Sequence, residues 1–380
     1  MLLGKRSFFV MIVLMLLFSC IPEQTVFARS VSAQSAILIE QTSGRVLFEK
    51  DAYTKRRIAS ITKIMTAILA IESGKMEETV TVSNRAVRAE GSSIYLKPNE
   101  KIKLKHLVYG LMLRSGNDAA IAIAEHVAGS VEGFVFLMNQ KAAEIGMTNT
   151  EFANPHGLDD AENHYSTAYD MALLMRYAMQ NEEFRKISET KVYRAPNPDE
   201  KWDRVWRNKN KLLTNLYDYC TGGKTGYTKR AKRTLVTTAS KEGLDLVAVT
   251  LNAPDDWNDH IIMYEYGFDN YVLAKVEDDR IVKNIKDRFY RNKVIANRDF
   301  LYPVTKDEME NLRVEIKLLK PKRKEWENED NVPRIVGKAM LYLDDEVVDE
   351  MPLLYESRHL ERTKKSIWNI FSFLGVGEHG

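Results

Sequence analysis

Strand-like segments stand at both ends of the region between residues 35 and 251, and helical segments stand between them. Ser35–Glu40 and residues 45–48 flank a Gly-containing turn, which predicts a β-hairpin. Residues 234–240 and Leu244–Leu251 predict a second pair of strands around Glu242 and Gly243. This order of strands, several helices and strands again predicts an α+β domain with helices beside an antiparallel sheet.

Apolar spacing places the helices. Residues 61, 64, 65, 68 and 69 are apolar, which predicts an amphipathic helix that ends at Gly74. Further helices are predicted over 105–127, with an interruption at 115–117, over 131–145 and over 167–179. From about residue 276, short alternating runs separated by charged loops predict a smaller, mostly β domain that reaches about residue 356.

Charge and cysteine content exclude several classes of protein. The 380 residues carry 55 Lys and Arg against 53 Asp and Glu, a formal charge of +2, so electrostatics give no reason to expect a nucleic-acid partner. Two cysteines are too few for a disulfide scaffold or a multi-Cys zinc module.

The N-terminus predicts export. Lys5 and Arg6 precede an apolar run over 8–18 that is too short to span a bilayer but suits a signal peptide. Small side chains at Val26 and Ala28 favour cleavage after residue 28, and Cys20 offers an alternative, lipoprotein-like processing site.

The C-terminal residues 361–380 predict an amphipathic helix on a membrane surface. Basic residues precede an apolar face with a tryptophan anchor, and the segment is too short to span a bilayer. The alternative is a helix docked on the β domain. The predicted division is therefore a signal peptide at 1–28, a large domain at 29–275, a small β-rich domain at 276–360 and the anchor at 361–380.

Ser60 and Lys63 are the first candidates for chemistry. Three residues apart at the start of a helix, they are neighbours, and both are absent from its apolar stripe. A serine hydroxyl is a poor nucleophile until a base takes its proton, and a lysine can serve only if burial or a second cation destabilises its ammonium form. Alone, this pattern equally fits a helix N-cap and a solvated lysine.

Two later motifs make the pattern specific. Ser115 and Asn117 flank Gly116, and Lys224 begins the Lys-Thr-Gly sequence 224–226 just before a predicted strand. A serine hydroxyl can relay a proton to a leaving amine, and an asparagine can hold a substrate amide. The Lys224 cation can lower the pKa of Lys63 and, with Thr225, bind a substrate carboxylate, while Gly226 leaves room for a peptide along the strand.

With these motifs the sequence resembles the penicillin-interacting serine D,D-peptidases, in the layout of the low-molecular-mass D-alanyl-D-alanine carboxypeptidases. The resemblance covers nearly the whole chain and implies a serine β-lactamase/D,D-peptidase-like catalytic domain followed by the small β domain. It is strongest in the sporulation carboxypeptidases of endospore-forming bacilli, which implies work on the spore cortex at the outer face of the cytoplasmic or forespore membrane. Supporting stretches lie at 57–59, 113–119, 154–158 and 164–170.

The resemblance also implies roles for individual residues. Ser60 would attack the carbonyl between two terminal D-alanines of a peptidoglycan stem peptide, with neutral Lys63 as base. Backbone N–H groups of Ser60 and Tyr227 would stabilise the oxyanion, and Ser115 would return a proton to the departing D-alanine. β-Lactams would form a longer-lived ester with Ser60. No cofactor or metal is expected.

Three other functions remain open from the sequence. A class A-like β-lactamase would need a glutamate that activates the deacylating water, and Glu151, near Asn154, is the one tempting candidate. A D,D-endopeptidase acting on crosslinks would use the same residues. A non-catalytic wall-binding protein would need neither Ser60 nor Lys63.

Other residues invite weaker hypotheses. His156 and His164 lie with Asp159 and Asp160 in a loop that lacks the spacing of a helical zinc site, so a hydrogen-bonded loop beside the cleft is favoured over a metal. Cys220 is expected to be a small buried hydrophobe. Trp202, Trp206 and the basic run 207–211 suit either a glycan-binding surface or a solvated loop anchored by its aromatics.

Overall fold

The computed structural model describes residues 31–197, 200–276, 285–322 and 324–356. The predicted signal peptide, Cys20 and the predicted C-terminal helix lie outside them. The helices are α1 Lys63–Glu72, α2 Asn84–Val87, α3 Leu104–Arg114, α4 Asn117–Ala128, α5 Val131–Glu144, α6 Ala168–Ala178, α7 Glu182–Ser188 and α8 Asp256–Asn270. The strands are β1 Ser35–Glu40, β2 Val46–Lys50, β3 Thr79–Thr81, β4 Lys101–Lys103, β5 Val192–Ala195, β6 Arg204–Arg207, β7 Cys220–Thr228, β8 Lys232–Lys241, β9 Leu244–Leu251, β10 Val272–Val276, β11 Val294–Ala296, β12 Phe300–Val304, β13 Leu312–Leu318, β14 Ile335–Leu343 and β15 Glu346–Tyr355.

A five-stranded antiparallel sheet organises the large domain, in the order β2-β1-β9-β8-β7. The two predicted strand pairs are therefore confirmed, and β1 joins them by pairing with β9. Both faces of this sheet are covered, since alternate β1 residues enter two different cores. Ile37 and Ile39 pack with the helical core, whereas Ala36 and Leu38 pack on the side of Tyr264 in α8.

Helix α1 differs from the predicted amphipathic helix. Every residue from Lys63 to Ile71 is buried, because α3, α4, α5, α6 and α7 all pack around it. A helix surrounded in this way has no solvent face, so its polar residues must find partners inside the protein. The apolar stripe identified the helix correctly but not its complete burial.

The second domain is mostly β, with a four-stranded sheet in the order β11-β15-β14-β13 and its own apolar core. β10 directly follows α8, crosses the boundary predicted between residues 275 and 276, and pairs with β12. Arg45, just before β2, links the two parts through an ion pair with Glu308 and a hydrogen bond to the Pro303 carbonyl.

Helices α4 and α5 follow each other closely along the chain and are both rich in apolar residues. Within the ranges described above, no single helix is long and apolar enough to cross a membrane. The pair meets the length and composition criteria only when taken together, with a bend of 84° between the two helices.

Candidate active site

Ser60 lies in a 3-10 turn, Ala59–Thr62, which leads directly into α1. The turn is held from beneath by Thr62, whose hydroxyl donates to the Ala59 carbonyl at 2.8 Å. His164 also contacts this hydroxyl, with its Nε2 at 2.8 Å. Burial, followed by the charge of Arg57, lowers the pKa of His164 to about 4. The ring is therefore neutral at pH 7, and because Nδ1 accepts from the Ala153 N–H, Nε2 carries the proton and donates to Thr62.

A glycine lets the neighbouring loop approach this turn. Gly157 has φ +86°, and a Cβ placed there would lie 1.9 Å from the Ala59 carbonyl oxygen. No other residue type fits so close to the backbone, and the positive φ independently favours glycine. The preceding residue, His156, thereby brings its carbonyl to the ammonium of Lys63.

Lys63 is completely buried, and its Nζ donates three hydrogen bonds to uncharged acceptors. These are Ser60 Oγ at 3.0 Å, Asn117 Oδ1 at 2.7 Å and the His156 carbonyl. Burial is the main reason that the pKa of Lys63 lies well below its usual value, and the charge of Lys224 lowers it further. The predicted pairing of Ser60 with Lys63 is confirmed, and Lys63 has the environment of a general base.

Lys224 lies opposite, also buried, and its Nζ donates to Ser115 Oγ at 3.1 Å and to the Thr225 carbonyl at 2.7 Å. Burial, aided by the charge of Lys209, lowers the pKa of Lys224 to about 7. Ser115 sits between α3 and α4 with φ +65°, a conformation that non-glycine residues adopt mainly where the surroundings impose it. The structure therefore brings the three predicted motifs into one cleft.

Asn117 and Asp118 hold the cleft together at the start of α4. Asn117 accepts from Lys63, and its side-chain amide donates to the Glu90 carbonyl. The buried carboxylate of Asp118 accepts from the backbone N–H groups of Ile94 and Leu96, each at 3.1 Å. These bonds fix the segment that lines the cleft beside Ser115, a role the sequence did not reveal for Asp118.

The Lys-Thr-Gly motif lies inside β7 rather than before a strand, which corrects the predicted placement. β7 is one of the two outer strands of the sheet, and its Gly226 faces the nucleophile turn. A Cβ on Gly226 would lie 2.4 Å from Thr234 Oγ1 and 3.0 Å from the Ser60 nitrogen. Only glycine therefore permits this approach, while Thr225 is half-buried and Tyr227 is 64% exposed.

Lys209 was missed as an individual residue because it stood within the basic run 207–211. Its Nζ donates to Ser92 Oγ at 3.2 Å, and its charge lowers the pKa of both Lys63 and Lys224. Contacts between residues so distant in sequence leave no local pattern. The family-like stretch 154–158 was the one signal available for the His156 carbonyl.

The remaining candidates have structural roles. Among the described residues, no group of three or more His, Cys, Asp or Glu side chains could hold a metal ion. Burial raises the pKa of the Cys220 thiol to about 11, so it is protonated and unreactive at pH 7. Glu151 accepts a hydrogen bond from the Tyr165 hydroxyl at 3.0 Å.

A hydroxyl beside a buried lysine, a second cation and an open strand edge together suit acyl transfer to serine. Comparison with known proteins agrees with that chemistry. Residues 22–255 match the D-alanyl-D-alanine carboxypeptidase family, peptidase S11, and residues 276–359 match the C-terminal domain of penicillin-binding protein 5.

Individual relatives extend over most of the chain. The D-alanyl-D-alanine carboxypeptidase DacF of Bacillus subtilis is 35% identical over 348 residues, which cover 84% of each chain. DacC of Escherichia coli is 38% identical over 266 residues, which cover 65% of this chain and 64% of that one. The structure of penicillin-binding protein 5 from Haemophilus influenzae superposes with a TM-score of 0.69 at 26% identity, covering 87% of this chain and 98% of the other. The predicted fold class is confirmed, and the chain belongs to the D-alanyl-D-alanine carboxypeptidase family of serine peptidases.

Proposed function

We propose that this enzyme removes the terminal D-alanine from peptidoglycan stem pentapeptides through an ester on Ser60. The observation that carries the proposal is the contact of Ser60 Oγ with the fully buried Nζ of Lys63. The neutral form of Lys63, whose two N–H groups stay with Asn117 and the His156 carbonyl, takes the serine proton on its lone pair as Oγ attacks the carbonyl between the two D-alanines. The amine of the last D-alanine leaves, and water then hydrolyses the ester.

Ser115 and Lys224 are placed to complete proton transfer to the leaving amine. Lys224 donates to Ser115 Oγ, so this hydroxyl can release its own proton to the amine and be resupplied. While it is protonated, the buried Lys224 also attracts the carboxylate of the departing D-alanine, together with the half-buried Thr225.

The outer edge of β7 is the proposed binding surface for the peptide. A peptide that pairs with an outer strand satisfies its backbone groups without needing a matching side chain at every position. Gly226 keeps that edge close to the Ser60 nitrogen. We assign the oxyanion to the backbone N–H groups of Ser60 and Tyr227, a type of donor whose loss costs on the order of 3 kcal/mol of transition-state stabilisation.

The two enzymatic alternatives use the same nucleophile and differ in the leaving group or in the fate of the ester. Glu151 is bonded to Tyr165, and nothing in its contacts assigns it to a deacylating water, which disfavours a class A-like β-lactamase. A D,D-endopeptidase would differ only in the amine that leaves, so a crosslinked substrate separates it from a carboxypeptidase.

The decisive experiment measures D-alanine released from a peptide ending in D-Ala-D-Ala, with Ser60→Ala as the test variant. Ser73→Ala, just beyond the other end of α1, is the matched control, because its hydroxyl donates to the Ala70 carbonyl, away from the cleft. We expect release by the parent and the control and none by Ser60→Ala, with penicillin forming an adduct on Ser60 alone.

Other outcomes would change the assignment. An adduct without D-alanine release would indicate action on crosslinks, and rapid turnover of penicillin would indicate a β-lactamase. Neither adduct nor release would favour a non-catalytic wall-binding protein.

The cellular setting is proposed from the sequence. Export by the N-terminal signal, membrane attachment through residues 361–380 and work on the spore cortex rest on the resemblance described above. Removing the residues after Glu361 should release the protein from membranes without lowering its activity, and continued membrane binding would contradict the anchor.

A further inference from the structure

A groove of about 850 Å³ opens beside the catalytic cleft, between the segment around Tyr95 and the β5–β6 hairpin. Two exposed aromatic rings line it, Tyr95 at 84% exposure and Trp202 at 66%. Trp206 is also part of the lining, but it is buried and stacks on Tyr193. The groove is therefore built on a packed aromatic base and offers two further rings to a ligand.

The groove is electrostatically unbalanced. Five cationic side chains line it against two acidic ones. Two of the cations are already neutralised, since Arg204 pairs with Glu100 and Lys97 pairs with Glu200.

Three cations, Arg114, Arg207 and Lys209, remain. Within the described part of the chain, none of them has a carboxylate at ion-pair distance, and Asp203 is the one lining acid without an ion pair. Like charges held together favour a bound anion.

The unpaired cations are physically connected to one another and to the catalytic residues. An Arg114 guanidinium nitrogen donates to the Arg207 carbonyl at 3.3 Å. Burial and the charge of Arg114 both lower the pKa of Lys209, so these two cations repel each other electrostatically. Lys209 bonds to Ser92, whose carbonyl accepts from the Asn117 backbone N–H at 2.7 Å. One end of the groove therefore meets the cleft at Asn117 and Ser115.

We propose that this groove binds the acidic segment of the stem peptide on the N-terminal side of the scissile bond, with Arg114 and Arg207 binding its free carboxylate. The inference rests on the proposed function and adds a substrate preference to it. Stem peptides carry a free α-carboxylate on their γ-linked D-glutamate, within a short extended stretch of the bond to be cut. The exposed rings of Tyr95 and Trp202 would cover the aliphatic part of that stretch.

The test compares two peptides that differ in one charge. One is L-Ala-γ-D-Glu-L-Lys-D-Ala-D-Ala, and the other has its glutamate α-carboxylate amidated. We expect the parent enzyme to release D-alanine from the acidic peptide with a kcat/KM about fivefold higher, the size of one partly exposed charge pair. Arg207→Gln should remove this preference by raising KM for the acidic peptide alone, and Arg207→Lys should restore part of it.

Arg194→Gln is the matched control, because Arg194 lies on the same hairpin, is exposed and does not line the groove. It should keep the full preference. Raising the salt concentration should shrink the preference, because partly exposed charges are screened.

Equal kcat/KM for the two peptides, or an equal loss on both in Arg207→Gln, would overturn the groove assignment while leaving the proposed function standing. No release from either peptide and no penicillin adduct on Ser60 would overturn both.

Discussion

Two parts of the large domain bury the same residue type with opposite results. In the cleft, Lys63 and Lys224 lose contact with water, and their ammonium groups bond only to uncharged oxygens. On α5, Lys141 is mostly buried as well, but it contacts Glu72, Glu144 and the Tyr177 hydroxyl. Burial lowers the pKa of all three lysines, and only for Lys141 do these partners more than reverse the effect and raise it.

The difference distinguishes a lysine that can act as a general base from a lysine that stabilises the fold. A buried ammonium without a counter-charge is unfavourable, so it gives up its proton readily and can accept one from a serine. An ammonium between two carboxylates holds its proton and cannot act as a base at neutral pH. The buried lysines of the cleft therefore destabilise the fold, whereas Lys141 on α5 does not. Substitutions in the cleft and on α5 should have different consequences.

The largest effect is expected from Lys63→Met. Without a base, Ser60 keeps its proton, so the rate constant for acylation by penicillin should fall about 10³-fold. Mass spectrometry of the adduct over time measures that rate. Lys141→Met should acylate like the parent, and a comparable loss there would mean that the contrast between the two lysines is wrong.

Lys224→Met should change how stability depends on pH. Because the pKa of Lys224 is about 7 in the folded protein and that of an unfolded lysine is near 10.4, the unfolded state binds more protons between these values. The free energy of unfolding of the parent therefore rises with pH across this window relative to Lys224→Met, by on the order of 3 kcal/mol.

Urea denaturation of both proteins at several pH values between about 7 and 11 measures this difference. The rise should level off above the pKa of the unfolded lysine, where Lys224 is neutral in both states. A difference that stays flat across the window would mean that Lys224 is not destabilised by burial.

Thr62→Val tests the neutral network under the nucleophile. Valine fills the same space but leaves the His164 Nε2–H without its buried acceptor, so the free energy of unfolding should fall by about 2 kcal/mol. Thr54→Val is the control, because its hydroxyl bonds to Asp51 on the surface and should cost much less. Equal losses of unfolding free energy in the two variants would show that the buried hydrogen bond at Thr62 contributes no more to stability than the exposed one at Thr54.

Local pattern was enough to predict most of the elements in this contrast. The hairpin of β1 and β2, the break between α3 and α4 and the pairing of β8 with β9 all follow from periodicity and turn residues, which act between near neighbours. The three catalytic motifs were also identifiable, because each is short and their order is specific.

The electrostatics of the cleft could not be predicted in the same way. Lys63 is completely buried because other helices surround α1. The apolar stripe of one helix does not show which other helices pack against it. The bond of Lys63 to the His156 carbonyl joins residues 93 apart in sequence. The motif Lys-Thr-Gly contains glycine, which strand propensity disfavours, so the pattern placed it before a strand rather than inside β7.

The smallest effect is expected on the stabilising side, from Lys141→Met. The methionine keeps most of the aliphatic contact on α5 but removes the charge between Glu72 and Glu144, so the free energy of unfolding should fall by about 1 kcal/mol. Because these carboxylates are partly exposed, the loss should shrink in about 1 M salt. Urea denaturation at two salt concentrations measures it, with Lys141→Arg as the charge-preserving control. If the methionine variant is as stable as the parent at low salt, the ion pairs of Lys141 do not compensate for the cost of burying its charge. The lysines of the cleft and Lys141 would then differ only in their exposure to solvent.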